Sequence, residues 1–230
     1  MAFYLGSCQV DNLNSIYYIS NSFLESENLF LQRQFSQYSS NISAIGAYAF
    51  YSYSALTSIS LSQAISIGDN AFYRCGALTS VSLSKATSIG SYAFAYCSAL
   101  TSISLPQATS IGNHAFYSCL RLASINLPQA TSIGSNAFTS CISLASVSLP
   151  KATLIGSSAF RTCYHLLSLY LTGSSIVSLA STTAFTSTPI STYTTSTGGV
   201  YGSIFVPASL YNSYKTAKNW SVYSSRFVSV

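Results

Sequence analysis

Cysteine, histidine and acidic side chains could do chemistry in this 230-residue chain, and they are few: six Cys, two His and four Asp or Glu. Five of the cysteines, Cys75, Cys97, Cys119, Cys141 and Cys163, recur every 22 residues, while Cys8 stands apart. Metal sites use closely paired ligands such as C-x-x-C with His partners, and no such pair occurs, so no metal is expected. One thiol at the same place in five successive units reads as a ladder of buried small hydrophobes. Disulfides between adjacent units are conceivable by distance, but five members cannot all pair. His114 and His165 fall at different places in the repeat. A hydrolytic triad needs an acid to orient its histidine, and Asp69, the single acid of the repeated region, lies two units from His114. Paired carboxylates for glycoside hydrolysis and a phosphate-cradling glycine loop are missing as well. The residues point to a non-enzymatic chain with no catalytic residues and no cofactor.

The elements that carry these side chains follow from the repeat. Gly46, Gly68, Gly90, Gly112, Gly134 and Gly156 are evenly spaced, each followed four residues later by Phe50, Phe72, Phe94, Phe116, Phe138 or Phe160. A fixed period of this length marks a solenoid whose units pack only on their neighbours. In the unit from Leu100 to Arg121, Leu100, Ile103 and Leu105 point inward, whereas Thr101, Ser102 and Ser104 stay outside. The alternation is that of a half-buried strand, and stacked copies make a parallel sheet with rungs about 4.8 Å apart. Pro106 ends the strand, since proline cannot donate to a ladder. Gly112 is assigned a backbone conformation that a side chain would forbid. Ala115, Phe116 and Cys119 fit one face of a short helical turn, with Phe116 filling the space between sheet and turn.

The repeat holds over residues 43–171 and fails at both ends. Residues 1–42 read as a non-repeat cap: Phe3-Tyr4-Leu5 and Ile16-Tyr17-Tyr18-Ile19 as short strands, and Ser22-Phe23-Leu24-Glu25 as a capping box opening a helix to about Arg33. Residues 172–230 read as a degenerate repeat and a C-terminal cap. There Ala184-Phe185 comes three residues late, a Ser/Thr-rich loop runs to Gly198-Gly199, and Ile204-Phe205-Val206-Pro207 forms a strand leading into a helix.

Composition narrows the function. Charged residues make up 6% of the chain, against about 25% in ordinary globular proteins, so Ser, Thr, Tyr and Asn keep the surface wet. The net charge of +5 comes from scattered cations, not from the basic stripe that nucleic-acid binding needs. No apolar run is long enough to span a membrane. The first residues lack the basic start and apolar stretch of a secretory signal.

The pattern L-x-S-I-x-L-P-x-A-T-S-I-G-x-x-A-F-x-x-C recurs with few substitutions from Leu78, Leu100, Leu122 and Leu144. It resembles the BspA-like, Treponema-type leucine-rich-repeat family. The segment Ile204-Phe205-Val206-Pro207-Ala208-Ser209-Leu210-Tyr211, with Tyr214-Lys215 and Asn219-Trp220, resembles the terminal cap of such proteins. The resemblance implies a right-handed α/β solenoid with a parallel sheet on its concave face and short helical turns on its convex face. It also implies a secreted or cell-surface bacterial protein that adheres to a protein or glycan ligand on host or bacterial surfaces. Related repeats occur in phage-encoded proteins, so a structural or receptor-binding part of a virion, or self-association, is the alternative. Leu149-Pro150-Lys151-Ala152-Thr153 resembles a sortase signal only in passing, being one copy of the repeat.

Two surfaces are candidates for binding. The concave face presents hydroxyl rows, and only its C-terminal end, with Asn126, Leu167 and Tyr170, departs from monotony; the candidate ligand-binding residues on this face are Ser102, Ser104, Ser124, Asn126, Ser146, Ser148, Ser168 and Tyr170. Hydroxyls there offer many weak donors and acceptors, although small hydroxyl residues are also ordinary strand formers. The convex face carries Tyr51, Tyr73 and Tyr117 at one repeat position, with Tyr92 and Tyr96 nearby. Such side chains combine apolar area with a polar tip.

Overall fold

The computed structural model describes residues 42–191 and 200–230 in full, together with the backbone of Phe3–Leu5 and Cys8–Val10. Those two short strands pair antiparallel, the first of them where the sequence places one. The expected strand at Ile16–Ile19, the expected helix from Ser22 and the loop across 192–199 lie outside the described residues.

From residue 42 onward the chain winds as a leucine-rich-repeat solenoid. Each coil contributes a three-residue strand of the type Ser102–Ser104, whose central Ile103 is buried between exposed serines. These strands pair in parallel, Ser102 opposite Ser124 and Ser104 opposite Asn126. They form a run of four and a run of two that the C-terminal segment extends to four, interrupted between Ser124–Asn126 and Ser146–Ser148. Each coil also adds a two-residue strand of the type Ser110–Ile111, and seven of these make an unbroken second parallel sheet. This sheet is not foreseen by the sequence pattern, because two residues are too few to display alternation. It carries the solenoid across the gap in the first.

The convex turns are not helical, which corrects the expectation for Ala115–Cys119. His114 and Ser118 take left-handed backbone with φ of 58° and 56°, and Ala115 to Tyr117 lie between them. Consequently the N–H groups of His114, Phe116 and Ser118 donate to Ser135, Ala137 and Thr139 of the next coil at 2.9, 2.7 and 2.9 Å. A helix would turn these donors inward onto its own carbonyls. The alternating backbone points every second donor at the neighbouring coil instead, so the turns form a third inter-coil ladder.

The core is a column of rings. Phe50, Phe72, Phe94, Phe116, Phe138, Phe160 and Phe185 are buried and stack in parallel with centroids 4.9–5.6 Å apart. Phe185 keeps its place despite the slipped period: two of the three additional residues fall before Ser178–Leu179, whose register with Leu154–Ile155 is retained, and the third falls between Leu179 and Phe185. Beside the rings runs the expected thiol ladder, in which Sγ of Cys119 donates to the carbonyl of Phe94 at 3.1 Å and each other repeat cysteine does the same one coil along.

Gly112 is needed for a different reason from the one its sequence context suggests. Its φ is not left-handed; rather, a Cβ there would sit 2.6 Å from the carbonyl carbon of Gly90 and 2.7 Å from the nitrogen of Ser91. The glycines let successive backbones touch.

The C-terminal segment ends the stack. Strand Ser203–Val206 pairs with Ser168–Tyr170 and then with Phe227–Ser229, extending the first sheet. Helix Tyr211–Thr216 and the residues after it close the second sheet with side chains. The Val177 N–H donates to Tyr214 Oη at 3.0 Å, Trp220 Nε1 donates to Val177 O at 2.6 Å, and Asn219 Nδ2 to Leu179 O at 2.6 Å. An open strand edge would otherwise offer these groups to another chain. Among the described residues, no helix is long and apolar enough to cross a membrane.

Candidate binding surfaces

The strand face separates its candidates into two groups. Ser102, Ser104, Ser124 and Asn126 sit in adjacent register, and Asn126 Nδ2 donates to Ser104 Oγ at 3.5 Å. Ser146, Ser148, Ser168 and Tyr170 form the second group, past the break in the ladder. Tyr170 is half-buried and stacks on Phe205 of the cap strand, with centroids 4.5 Å apart and planes 10° from parallel. Its ring is therefore committed to the seam between coil and cap. Threonine hydroxyls beside the second sheet are also spent within the fold: Thr109, Thr131 and Thr153 each donate to the carbonyl of the equivalent residue one coil earlier.

On the turn face the structure brings all five candidate tyrosines together and adds three residues that sequence reasoning left out. Tyr51 stacks on Tyr73 at 4.9 Å, and Tyr73 meets Tyr96 edge-on at 5.3 Å, followed by Tyr117 at 5.4 Å from Tyr96. Tyr48 joins at the first coil, 5.6 Å from Tyr51. Tyr92 lies flat on His114 at 4.3 Å, and His114 in turn is 5.7 Å from Tyr117. The guanidinium of Arg74 lies over Tyr73 and Tyr96, at 5.4 and 5.7 Å. The missed residues carried a signal, since Tyr48 and His114 share the repeat position of Tyr92, and Arg74 shares that of Tyr96. The belt ends after Tyr117, where the same positions hold Asn136, Thr139 and Ser140.

His114 is the one polar group of the belt with an unmet need: among the described residues, its Nδ1 is buried without a hydrogen-bond partner. Burial holds its pKa below the ordinary value of 6.5. The neutral ring is thus favoured by folding, and the associated stability is present above pH 6.5 and lost as the pH falls below it. Asparagine occupies the equivalent left-handed positions at Asn70 and Asn136, each with φ of 56°. His114→Asn is therefore expected to fold. Its melting temperature should gain on that of the wild type as the pH is lowered from 7 to 5, and parallel curves would remove His114 from this account.

The thiols are inert by the same physics. Burial pushes the pKa of Cys75 and Cys119 up to about 12, and raises those of Cys97, Cys141 and Cys163. Since the thiolate is the nucleophile, these five are expected to resist iodoacetamide at pH 8 until the protein is denatured, as peptide mass spectrometry would read out. Among the described residues, no three His, Cys, Asp or Glu side chains converge as a metal site would require.

Comparison with known proteins places the fold. The sequence profile of the BspA type leucine rich repeat region matches in six copies, over residues 19–129 and 87–200. No curated protein matches the chain. A leucine-rich repeat protein from Bacteroides ovatus is 22% identical, with a TM-score of 0.47 over 73% of this chain and 53% of its own. A leucine rich cell surface protein from Faecalibacterium prausnitzii is 21% identical, with a TM-score of 0.49 over 80% of this chain and 54% of its own. A leucine rich repeat protein from T. pallidum is 33% identical, with a TM-score of 0.38 over 56% of this chain and 52% of its own. The chain spans about half the length of these solved structures. With the repeat profile matching well over half of its residues, the chain belongs to the BspA-type leucine-rich repeat family.

Proposed function

We propose that the chain is a non-enzymatic binding and adhesion module of a bacterial cell surface, engaging a protein or glycan ligand through its repeat surfaces. The observation that carries this reading is the ring belt. Its aromatic residues occupy positions where later coils have Asn, Thr and Ser, so the coil itself does not require them. Clustered apolar surface without a structural need marks a contact site, and tyrosine is enriched at interfaces. The hydroxyl rows of the strand face would serve as a second contact area, with Ser102, Ser104, Ser124, Asn126, Ser146, Ser148 and Ser168 as its donors and acceptors. In this reading residues 43–171 supply the surface, while 1–42 and 172–230 close the stack. The cell-surface description of the Faecalibacterium prausnitzii protein supports the location.

The test is where the native protein resides. An antibody raised against residues 43–230 is expected to label intact producer cells. Signal confined to cytosol would overturn the reading, and signal confined to purified phage particles would make this a virion component.

A further inference from the structure

Building on the reading of the chain as a binding module, we infer that the ring belt around Arg74 is its docking surface and that the partner is an acidic protein segment. Three features agree on that chemistry. First, the parallel stacks Tyr51–Tyr73 and Tyr92–His114, at 4.9 and 4.3 Å, cover ring faces with other rings. These four rings offer a partner chiefly their edges and polar tips, and the three tyrosines outside the stacks, Tyr48, Tyr96 and Tyr117, add phenolic O–H groups. The edge of an aromatic ring carries the positive end of its quadrupole, and each phenol can donate.

Second, Arg74 is exposed and its guanidinium is steadied over two rings. A planar fork held in this way is pre-organised for two parallel hydrogen bonds to a carboxylate. Third, residues 42–230 hold every lysine and arginine but Arg33, against Asp69 as their single acid. The Asp69 carboxylate is already in use, since Oδ1 accepts the Ser91 N–H at 2.7 Å. The repeat body thus presents unbalanced positive charge, and Arg74 is the cation that this charge places at the belt. Complementary charge sets partner choice and encounter rate.

The repeat supplies its own test substitutions. Arg74→Ser places at residue 74 the serine found at Ser52, Ser118 and Ser140, all with left-handed φ near that of Arg74. Arg161→Thr removes the same charge one position from the Phe160 ring, on a coil without the belt, where Thr139 is the equivalent residue. The 230-residue chain would be titrated by fluorescence polarisation with a labelled twelve-residue peptide of alternating Glu and Ser. The matching Gln-Ser peptide and polygalacturonate serve as competitors.

Saturable binding of the Glu-Ser peptide is expected, with Arg74→Ser weakening it about tenfold and Arg161→Thr changing it by less than about twofold. Unchanged melting temperatures would show that both variants fold. No binding, or equal loss in the two variants, would overturn the proposal. Belt-dependent capture of polygalacturonate without the peptide would overturn the partner class. The localisation result stands apart: labelled cells together with a silent peptide would leave the module reading intact and remove this one.

Discussion

Gly112→Val is expected to lower the melting temperature by about 6–12 °C, from about 3 kcal/mol of overpacking and the roughly 2–4 °C per kcal/mol typical of a domain this size. The cause is contact between backbones. The new Cβ would stand 2.6–2.8 Å from three main-chain atoms of Gly90 and Ser91, and none of these is the free end of a flexible side chain. They cannot withdraw cheaply, because the N–H of Gly112 donates to Ile89 O at 2.8 Å across the same seam. Valine adds two methyl groups to a position already too tight for one carbon. The same contact recurs up the column, since a Cβ on Gly134 would meet Gly112 at 2.6 Å and one on Gly156 would meet Gly134 at 2.6 Å. The control is Gly76→Ala, whose Cβ would find only Ser98 Oγ at 3.8 Å. That variant should melt at the wild-type temperature or slightly above, as alanine restricts the unfolded chain. Thermal unfolding followed by circular dichroism separates the two. Equal melting temperatures would show that the coils are not in the contact described.

Phe116→Ala should cost more, about 3–5 kcal/mol. Phe116 is fully buried and lies between the rings of Phe94 and Phe138, at 5.4 and 5.2 Å. Truncation leaves a cavity between two rings and removes two stacking contacts at once. Because solenoid units are stabilised chiefly by their nearest neighbours, the loss falls on the junction between two halves of the stack. A broadened or biphasic transition in urea is therefore expected, with the first phase at markedly lower denaturant. Phe116→Leu keeps most of the volume and should lose less than about 1.5 kcal/mol. A single unshifted transition for the alanine variant would mean that the Phe116 ring does not hold its neighbouring coils together.

The repeat unit was legible because its inward positions stay apolar from coil to coil: Leu100, Ile103, Leu105, Phe116 and Cys119 are buried as their spacing predicts. The helical turn was misread because Ala115, Phe116 and Cys119 share a side at helical offsets, while the left-handed residues at the bends, His114 before Ala115 and Ser118 before Cys119, are not the glycines that would mark them. The glycine column was recognised for its regularity and given the wrong cause. Space between neighbouring backbones is a property of two coils, and one coil's sequence does not contain it.

The candidate site divides in the same way. Tyr51, Tyr73 and Tyr117 were visible as one repeat position, and Tyr92 and Tyr96 as neighbours. Their union with Tyr48, His114 and Arg74 into one ring network was not, because it joins three different repeat positions through contacts between coils. Tyr170 looked available and proved to be stacked on Phe205, 35 residues further along the chain.

By itself the sequence determined the period, the inward face of each coil and the family, because burial imposes a spacing that the residues must repeat. The tertiary structure alone decided which ladders join the coils, why the glycines are needed and which exposed rings meet. Each of those depends on how far one coil lies from the next, a distance set by stacking and written in no single repeat.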